Sequence, residues 1–239
     1  MENVDGLDWV GNANELNAAY AADGYARVHG AAILSTTYGV GELSAINGVM
    51  GSRAHRLPVF HIVGMPSERI QRLGLPTHHN LGDNNYERFQ SISASACCVH
   101  AVLTPENAVD ELERVIREAL RHSGPAYIVM SELSGYAPIL SEPIKGCSIR
   151  EVQRQKSSPY ELDAAVESIV KKLNRASKPA AIATSLLRRY GITDLVSDCL
   201  THLNLPFAQT ANDKGNAIYT FLESRMHLSL EVHCGRYPR

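Results

Sequence analysis

No stretch of this 239-residue chain is apolar for long enough to cross a bilayer. The opening residues, MENVDGLDWVGNANE, are acidic and lack the apolar run of a secretory signal, so no leader and a cytoplasmic location are the expectation. Positive charge is not in excess. Lys plus Arg number 23 against 25 Asp plus Glu, a formal net charge of -2, which argues against nucleic acid or a membrane surface as partner. The five cysteines, Cys97, Cys98, Cys147, Cys199 and Cys234, include no C-x-x-C pair. Their odd number and irregular spacing argue against a disulfide framework or zinc site and for a reducing compartment. Internal repeats and low-complexity tracts are absent. So is a G-x-G-x-x-G between strand and helix with an acidic residue about 20 positions on, which leaves a Rossmann-type dehydrogenase unsupported.

What is present is an ordinary globular composition, 44% hydrophobic and 20% charged, at a length that suits one large domain or two of usual size. A strand-like piece at 7–10 leads into GNANELNAAYAADGYARVHG (11–30), a helix that Asn12 or Asn14 can cap and Gly30 can end. AAILSTTYG then reads as a strand leaving into a turn in which Gly39 and Gly41 bracket Val40. A helix starts near Glu42 (LSAINGVMGSRAH), and Pro58 opens the strand VFHIVG. A polar loop is expected over 65–90, then a strand at 97–102, a helix at 105–121 and a strand at 126–130. In that helix Thr104 would be the cap and Pro105 the first residue, with Val109, Leu112, Val115, Ile116 and Leu120 on one face. Tyr20, Tyr25 and Leu16 are assigned to the core, and so is His61, within an apolar strand. Strands and helices in this alternation predict an α/β fold: a parallel sheet covered by helices on both faces.

The pattern changes after residue 131. SELSGYAPILSEP has no sustained period and reads as a linker, giving a first domain over 1–135 and a linker over 136–158. ELDAAVESIVKKL, PAAIATS, ITDLVSDCLTHL and LPFAQTA then give helix, strand, helix, strand, the start of a second α/β domain over 159–239. The tail AIYTFLESRMHLSLEVHCGRYPR supplies no clear closing element, so the second domain reads as incomplete and the chain as truncated.

One residue of the first helix stands out. Glu15 heads a stripe of alanines, Ala18, Ala19, Ala22 and Ala26. A glutamate in a first helical turn is ordinary and is stabilised there by the helix dipole. Its company is not ordinary. GNANELNAAYAADGYARVHG, STTYGVGELSAINGVMGS, HIVGMPS and PTHHNLGD occur in this order. Together they resemble the thiamine-diphosphate-dependent 2-oxo acid decarboxylases, the family of pyruvate and indolepyruvate decarboxylases. The likeness is close over 9–130, the family's pyrimidine-binding domain, and looser over 159–215, the start of its middle domain.

The resemblance implies non-oxidative decarboxylation of a 2-oxo acid, pyruvate-like or aryl-pyruvate, to an aldehyde, with thiamine diphosphate and Mg2+ as cofactors. It assigns Glu15 a hydrogen bond to the cofactor's aminopyrimidine ring. A carboxyl group in a poorly solvated pocket can share a proton with a ring nitrogen. It places His78 and His79 in a loop that assists proton transfer and holds the substrate carboxylate, a role that suits a side chain titrating near neutral pH. It has the turn Thr36, Thr37, Tyr38, Gly39, Val40 and Gly41 line the pyrimidine pocket, with Thr37 near substrate and the glycines permitting close approach.

Two family features have no counterpart. The aspartate-bearing loop that precedes this point in the family is absent. The spaced G-D-G…N-N motif that anchors diphosphate through magnesium is absent too. The fragment LGDNNYE beginning at Leu81 carries similar letters without the spacing. The metal site is therefore expected on a missing domain or a partner chain, and the expected partners are the 2-oxo acid and either a second copy or a diphosphate-domain chain. The alternative is a non-catalytic remnant or interaction module that pairs with a full-length decarboxylase.

Overall fold

The computed structural model describes residues 5–83, 85–139 and 157–209. The chain divides into two compact units, Met1–Lys156 and Ser157–Arg239. Most of the expected linker and all of the tail lie outside the described residues.

The first unit is built in the order α1 (Glu15–His29), β1 (Ala32–Thr37), α2 (Val40–Ala54), β2 (Val59–Met65), α3 (Glu68–Leu73), α4 (Glu87–Ser95), β3 (Val99–Leu103), α5 (Ala108–His122) and β4 (Ala126–Ser131). Its four strands pair in parallel in the order β1-β2-β4-β3. Helices cover both faces, as the alternation predicted. On one face α1, α2 and α4 bury Leu34, Val59, Val63, Tyr127 and Val129. On the other, α5 lays Val115 and Ala119 over Val99, Ala101, Leu103 and Ile128.

The helix α1 starts and stops for local reasons. The Asn17 N–H donates to Asn14 Oδ1 at 2.9 Å, so Asn14 is the cap, and Gly30 ends the helix in the left-handed region at φ 93°. The alanine stripe faces α2. Ala19, Ala22 and Ala26 are buried there, and a Cβ added at Gly48 would come 2.6 Å from that of Ala19. Small residues on both sides bring the two helix backbones close. Within this contact Asp23 pairs with Arg27 at 2.5 Å and accepts from Ser52 Oγ at 2.9 Å.

Several expectations are corrected. Residues 7–10 form no strand; Leu7, Trp9 and Val10 are exposed. The 65–90 stretch is not one loop but holds α3 and the start of α4. Strand β3 begins at Val99, not 97, and α2 begins at Val40, ahead of Glu42. Helix α5 starts at Ala108 with Asn107 in the cap position, while Pro105 sits in the preceding turn, where the Thr104 N–H donates to Asn107 Oδ1. Tyr20 and Tyr25 are 52% and 56% exposed, because the alanines, not the tyrosines, form the packing face of α1.

The second unit has α6 (Pro159–Arg175), β5 (Ala181–Ala183), α7 (Leu186–Arg189), α8 (Thr193–His202) and β6 (Phe207–Gln209), with β5 and β6 parallel. A capping box opens α6: Ser158 Oγ accepts from the Glu161 N–H, and the Glu161 carboxylate accepts from the Ser158 N–H. Leu162, Val166, Ile169 and Val170, on one stripe of α6, are exposed.

Candidate active site

The expected site residues converge on one turn. Strand β1 delivers Thr37 at its carboxyl end, and the chain reverses through Tyr38 and Gly39 into α2. Open α/β sheets place their sites at this end of the strands. The Tyr38 N–H donates to Gly64 O at 3.1 Å, tying the turn to the end of β2. Gly39 adopts φ 62°, a conformation that favours glycine, and a Cβ there would overlap the carbonyl oxygen of His79.

Glu15 approaches the same turn from the start of α1. A Cβ at Gly41 would come 3.3 Å from Glu15 Oε1 and 2.7 Å from the Thr37 methyl. Glycine at 41 thus lets the Glu15 carboxylate and the Thr37 methyl both approach the start of α2. Glu15 is half-buried, and among the described residues no hydrogen bond or ion pair reaches its carboxylate. Thr37 and Val40 are exposed beside it. A half-buried carboxylate without a protein donor among the described residues, beside the glycine turn, fits a ligand that brings its own N–H or ring nitrogen.

The histidine loop reaches the turn from the other side. The Tyr38 hydroxyl is bonded to the carbonyl of His78 and lies 2.8 Å from Thr77 Oγ1. The Tyr38 ring meets the His79 ring edge-on at 6.1 Å, and the two histidine rings are 5.9 Å apart. His79 is one of few non-glycine residues in the left-handed region, at φ 70°. Both histidines are exposed. The structure therefore gathers Glu15, Thr37, Gly39, Val40, Gly41, His78 and His79 around one turn.

Beneath the turn lies a buried polar network that sequence reasoning did not find. Glu42, fully buried, accepts from the Gly39 N–H at 2.8 Å, from Ser93 Oγ at 2.6 Å and from the Tyr127 hydroxyl at 2.7 Å. Burial, then the Glu42 carboxylate beside it, pushes the Tyr127 phenol far up, so it serves as a donor. His61 is bonded to Thr36 Oγ1 at 2.9 Å and meets the Tyr127 ring edge-on. It is a satisfied core residue, as expected. A capping glutamate three residues after a glycine turn was the signal available for Glu42. Nearby, Glu68 at the start of α3 accepts from Ser131 and Ser134 at the end of β4, which hold its carboxyl below the usual range.

Burial pushes His61 down from 6.5 to about 4. The unfolded chain takes up a proton below pH 6.5 that the folded chain refuses until about pH 4. Stability is therefore complete above pH 6.5 and falls between there and about pH 4. The free energy involved is about 3 kcal/mol. Urea unfolding followed across that range should show the decline, and His61→Gln, which cannot titrate, should flatten it. An unchanged slope in the variant would assign the decline to other groups.

Residues 1–87 match the family model described as the thiamine pyrophosphate enzyme N-terminal TPP binding domain. The parallel α/β fold of the first unit is consistent with that domain. The chain is 50% identical over 125 residues to an alpha-keto-acid decarboxylase of Mycobacterium leprae, covering 52% of this chain and 22% of that protein. It is 36% identical over 214 residues to a pyruvate decarboxylase of Aspergillus terreus, covering 88% of this chain and 37% of that one. It is also 36% identical over 216 residues to the thiamine metabolism regulatory protein THI3 of Saccharomyces cerevisiae, covering 90% of this chain and 35% of that protein. The chain thus matches a thiamine pyrophosphate enzyme domain over residues 1–87, is similar to these decarboxylases and this regulatory protein, and spans less than two fifths of their length. Among the described residues no helix is long and apolar enough to cross a membrane.

Proposed function

We propose that this chain supplies the pyrimidine-facing half of a thiamine-diphosphate site that decarboxylates a 2-oxo acid to an aldehyde. The observation that carries the reading is the position of Glu15. Its carboxylate, without a protein donor among the described residues, opens onto the glycine turn whose other side holds His78 and His79. When bound, thiamine diphosphate supplies the electron sink for loss of carbon dioxide.

The chain's own residues do the rest. Glu15 Oε1, the oxygen facing Gly41, shares a proton with a ring nitrogen and sets the ring's orientation. Thr37, Gly39, Val40 and Gly41 would form the wall facing the ring. The ring nitrogens of His78 and His79 carry protons to and from the substrate side. Among the described residues no group of three or more His, Cys, Asp or Glu is placed to hold a metal ion. We assign the Mg2+ ligands to a diphosphate-binding domain, in cis or on a partner chain. The layout that goes with this reading is a pyrimidine-binding domain over 1–135, a linker over 136–158 and part of a middle domain over 159–239, in a cytoplasmic protein.

Charge-assisted bonds to the diphosphate give such cofactors much of their affinity. The 239-residue chain by itself is therefore expected to bind thiamine diphosphate weakly in calorimetry with magnesium present. Adding a chain that bears the diphosphate-binding domain should produce tight binding and aldehyde release. Tight binding by the chain alone would overturn the division of the site. A second reading, an interaction module that pairs with a full-length decarboxylase, is favoured by the relative named as a regulatory protein of thiamine metabolism. It predicts association with a full-length decarboxylase without aldehyde production from a shared site.

A further inference from the structure

The loop that carries His78 and His79 has little packing of its own. Leu75 and Leu81 are exposed, as are both histidines. Two buried tyrosines reach it from below. Tyr38 comes from the β1–α2 turn, and Tyr86 from the residue before α4. Their hydroxyls converge on Thr77 Oγ1, at 2.8 Å from Tyr38 and 3.1 Å from Tyr86. Asn80 Nδ2 donates to the same oxygen at 3.0 Å.

Counting protons shows what each hydroxyl does. A backbone carbonyl can only accept. The bond to the His78 carbonyl therefore uses the Tyr38 proton, and the 2.9 Å bond to the Leu75 carbonyl uses that of Tyr86. Thr77 has one proton for two tyrosine oxygens and bonds one of them at a time. Each tyrosine is thus committed to one loop carbonyl, and the two carbonyls flank Thr77. The rings fill core space that phenylalanine would fill equally well, so the hydroxyls act on the loop. A device of this kind is required locally, because His79 is held at φ 70° with its carbonyl against Gly39.

We propose that Tyr38 and Tyr86 are positioning residues which, through the hydroxyl cluster centred on Thr77, fix the backbone of the histidine pair against the Gly39 turn. The proposal rests on the reading above that this pair faces the substrate. Its test needs neither cofactor nor substrate, so the two can fail separately.

In the full chain, Tyr38→Phe and Tyr86→Phe remove one hydroxyl each and keep the ring. Amide hydrogen exchange over 75–80 should quicken about tenfold in each variant, the size expected for one net hydrogen bond. Exchange of the β4 core amides should stay as it was. The imidazole NMR signals of His78 and His79 should shift or broaden while that of His61 holds still. Thr77→Val, which removes the hub without touching either ring, should reproduce both effects and covers the case in which a tyrosine variant fails to fold. Loop exchange and histidine signals unchanged in the variants that fold would overturn the proposal, as would exchange that quickens evenly across the core. If the loop responds but a reconstituted assembly forms no aldehyde, the clasp stands and the proposed function falls.

Discussion

Glu42→Ala is expected to destabilise the first unit by about 3 kcal/mol or more, enough to unfold a marginal domain. Three donors lose their acceptor at once: the Gly39 N–H, Ser93 Oγ and the Tyr127 hydroxyl. All three belong to buried residues, so water does not readily replace the lost bonds. Each unsatisfied buried donor costs roughly 1–3 kcal/mol, and the space left by the side chain adds a cavity penalty. The sum is not additive, because the three share one carboxylate. Glu42→Gln separates the hydrogen-bonding role from the charge. Its amide oxygen can still accept from Gly39, and its NH2 can donate to the two hydroxyls, which accept as well as donate. The glutamine variant should therefore retain most of the stability. Urea denaturation followed by circular dichroism gives both numbers. An alanine variant within about 0.5 kcal/mol of the parent, the range of a plain surface change, would show that the network contributes little to the fold.

How much of this was legible depends on how local the physics is. The limits of α1 were readable because Asn14 and Gly30 set them by their own backbone chemistry. Strands β1, β2 and β4 were readable as apolar runs between turn residues. Helices α3 and α4 were not. The first has six residues, too few to show a period, and the second starts at Glu87 with a tyrosine in the cap position, its first N–H groups being taken by Asn85 Oδ1 one residue further back, so neither shows the usual start pattern. Tyr20 and Tyr25 were misjudged by size. The close approach of Ala19 to Gly48 makes alanine the buried residue, and this depends on α2, not on α1 alone.

In the candidate site, Glu15, the glycine turn and the histidine pair were singled out from the ordered motifs. Their meeting point could not, because it depends on contacts across a long sequence separation. Thr77 and Tyr86 had no signal at all. A hydroxyl cluster between Tyr38 and a loop some forty residues on leaves no periodic trace in the sequence. Glu42 looked like any helix-start glutamate until β4 brought Tyr127 against it.

Glu15→Gln should slow aldehyde release by on the order of 100-fold or more once the chain is paired with a diphosphate-binding domain, the range expected for a positioned proton-transfer group. Glutamine keeps the length and shape of the side chain and can still accept a hydrogen bond through its oxygen. It cannot hold a proton. The variant therefore removes one capability and leaves the packing against Gly41 and Thr37 in place. Because no bond within the described chain depends on this carboxylate, only its helix-dipole term is lost and stability should change by no more than about 1 kcal/mol. That pairing of a large loss in rate with an unchanged fold separates Glu15 from Glu42, whose removal acts through the fold. Cofactor affinity gives a further division. A proton-sharing role predicts that the rate falls more than binding does, whereas a purely holding role predicts that they fall together. Full activity in the glutamine variant would remove Glu15 from the chemistry and leave the carboxylate as a helix-start charge. Under the interaction-module reading the same substitution has no rate to change, and association with a full-length decarboxylase should persist unaltered.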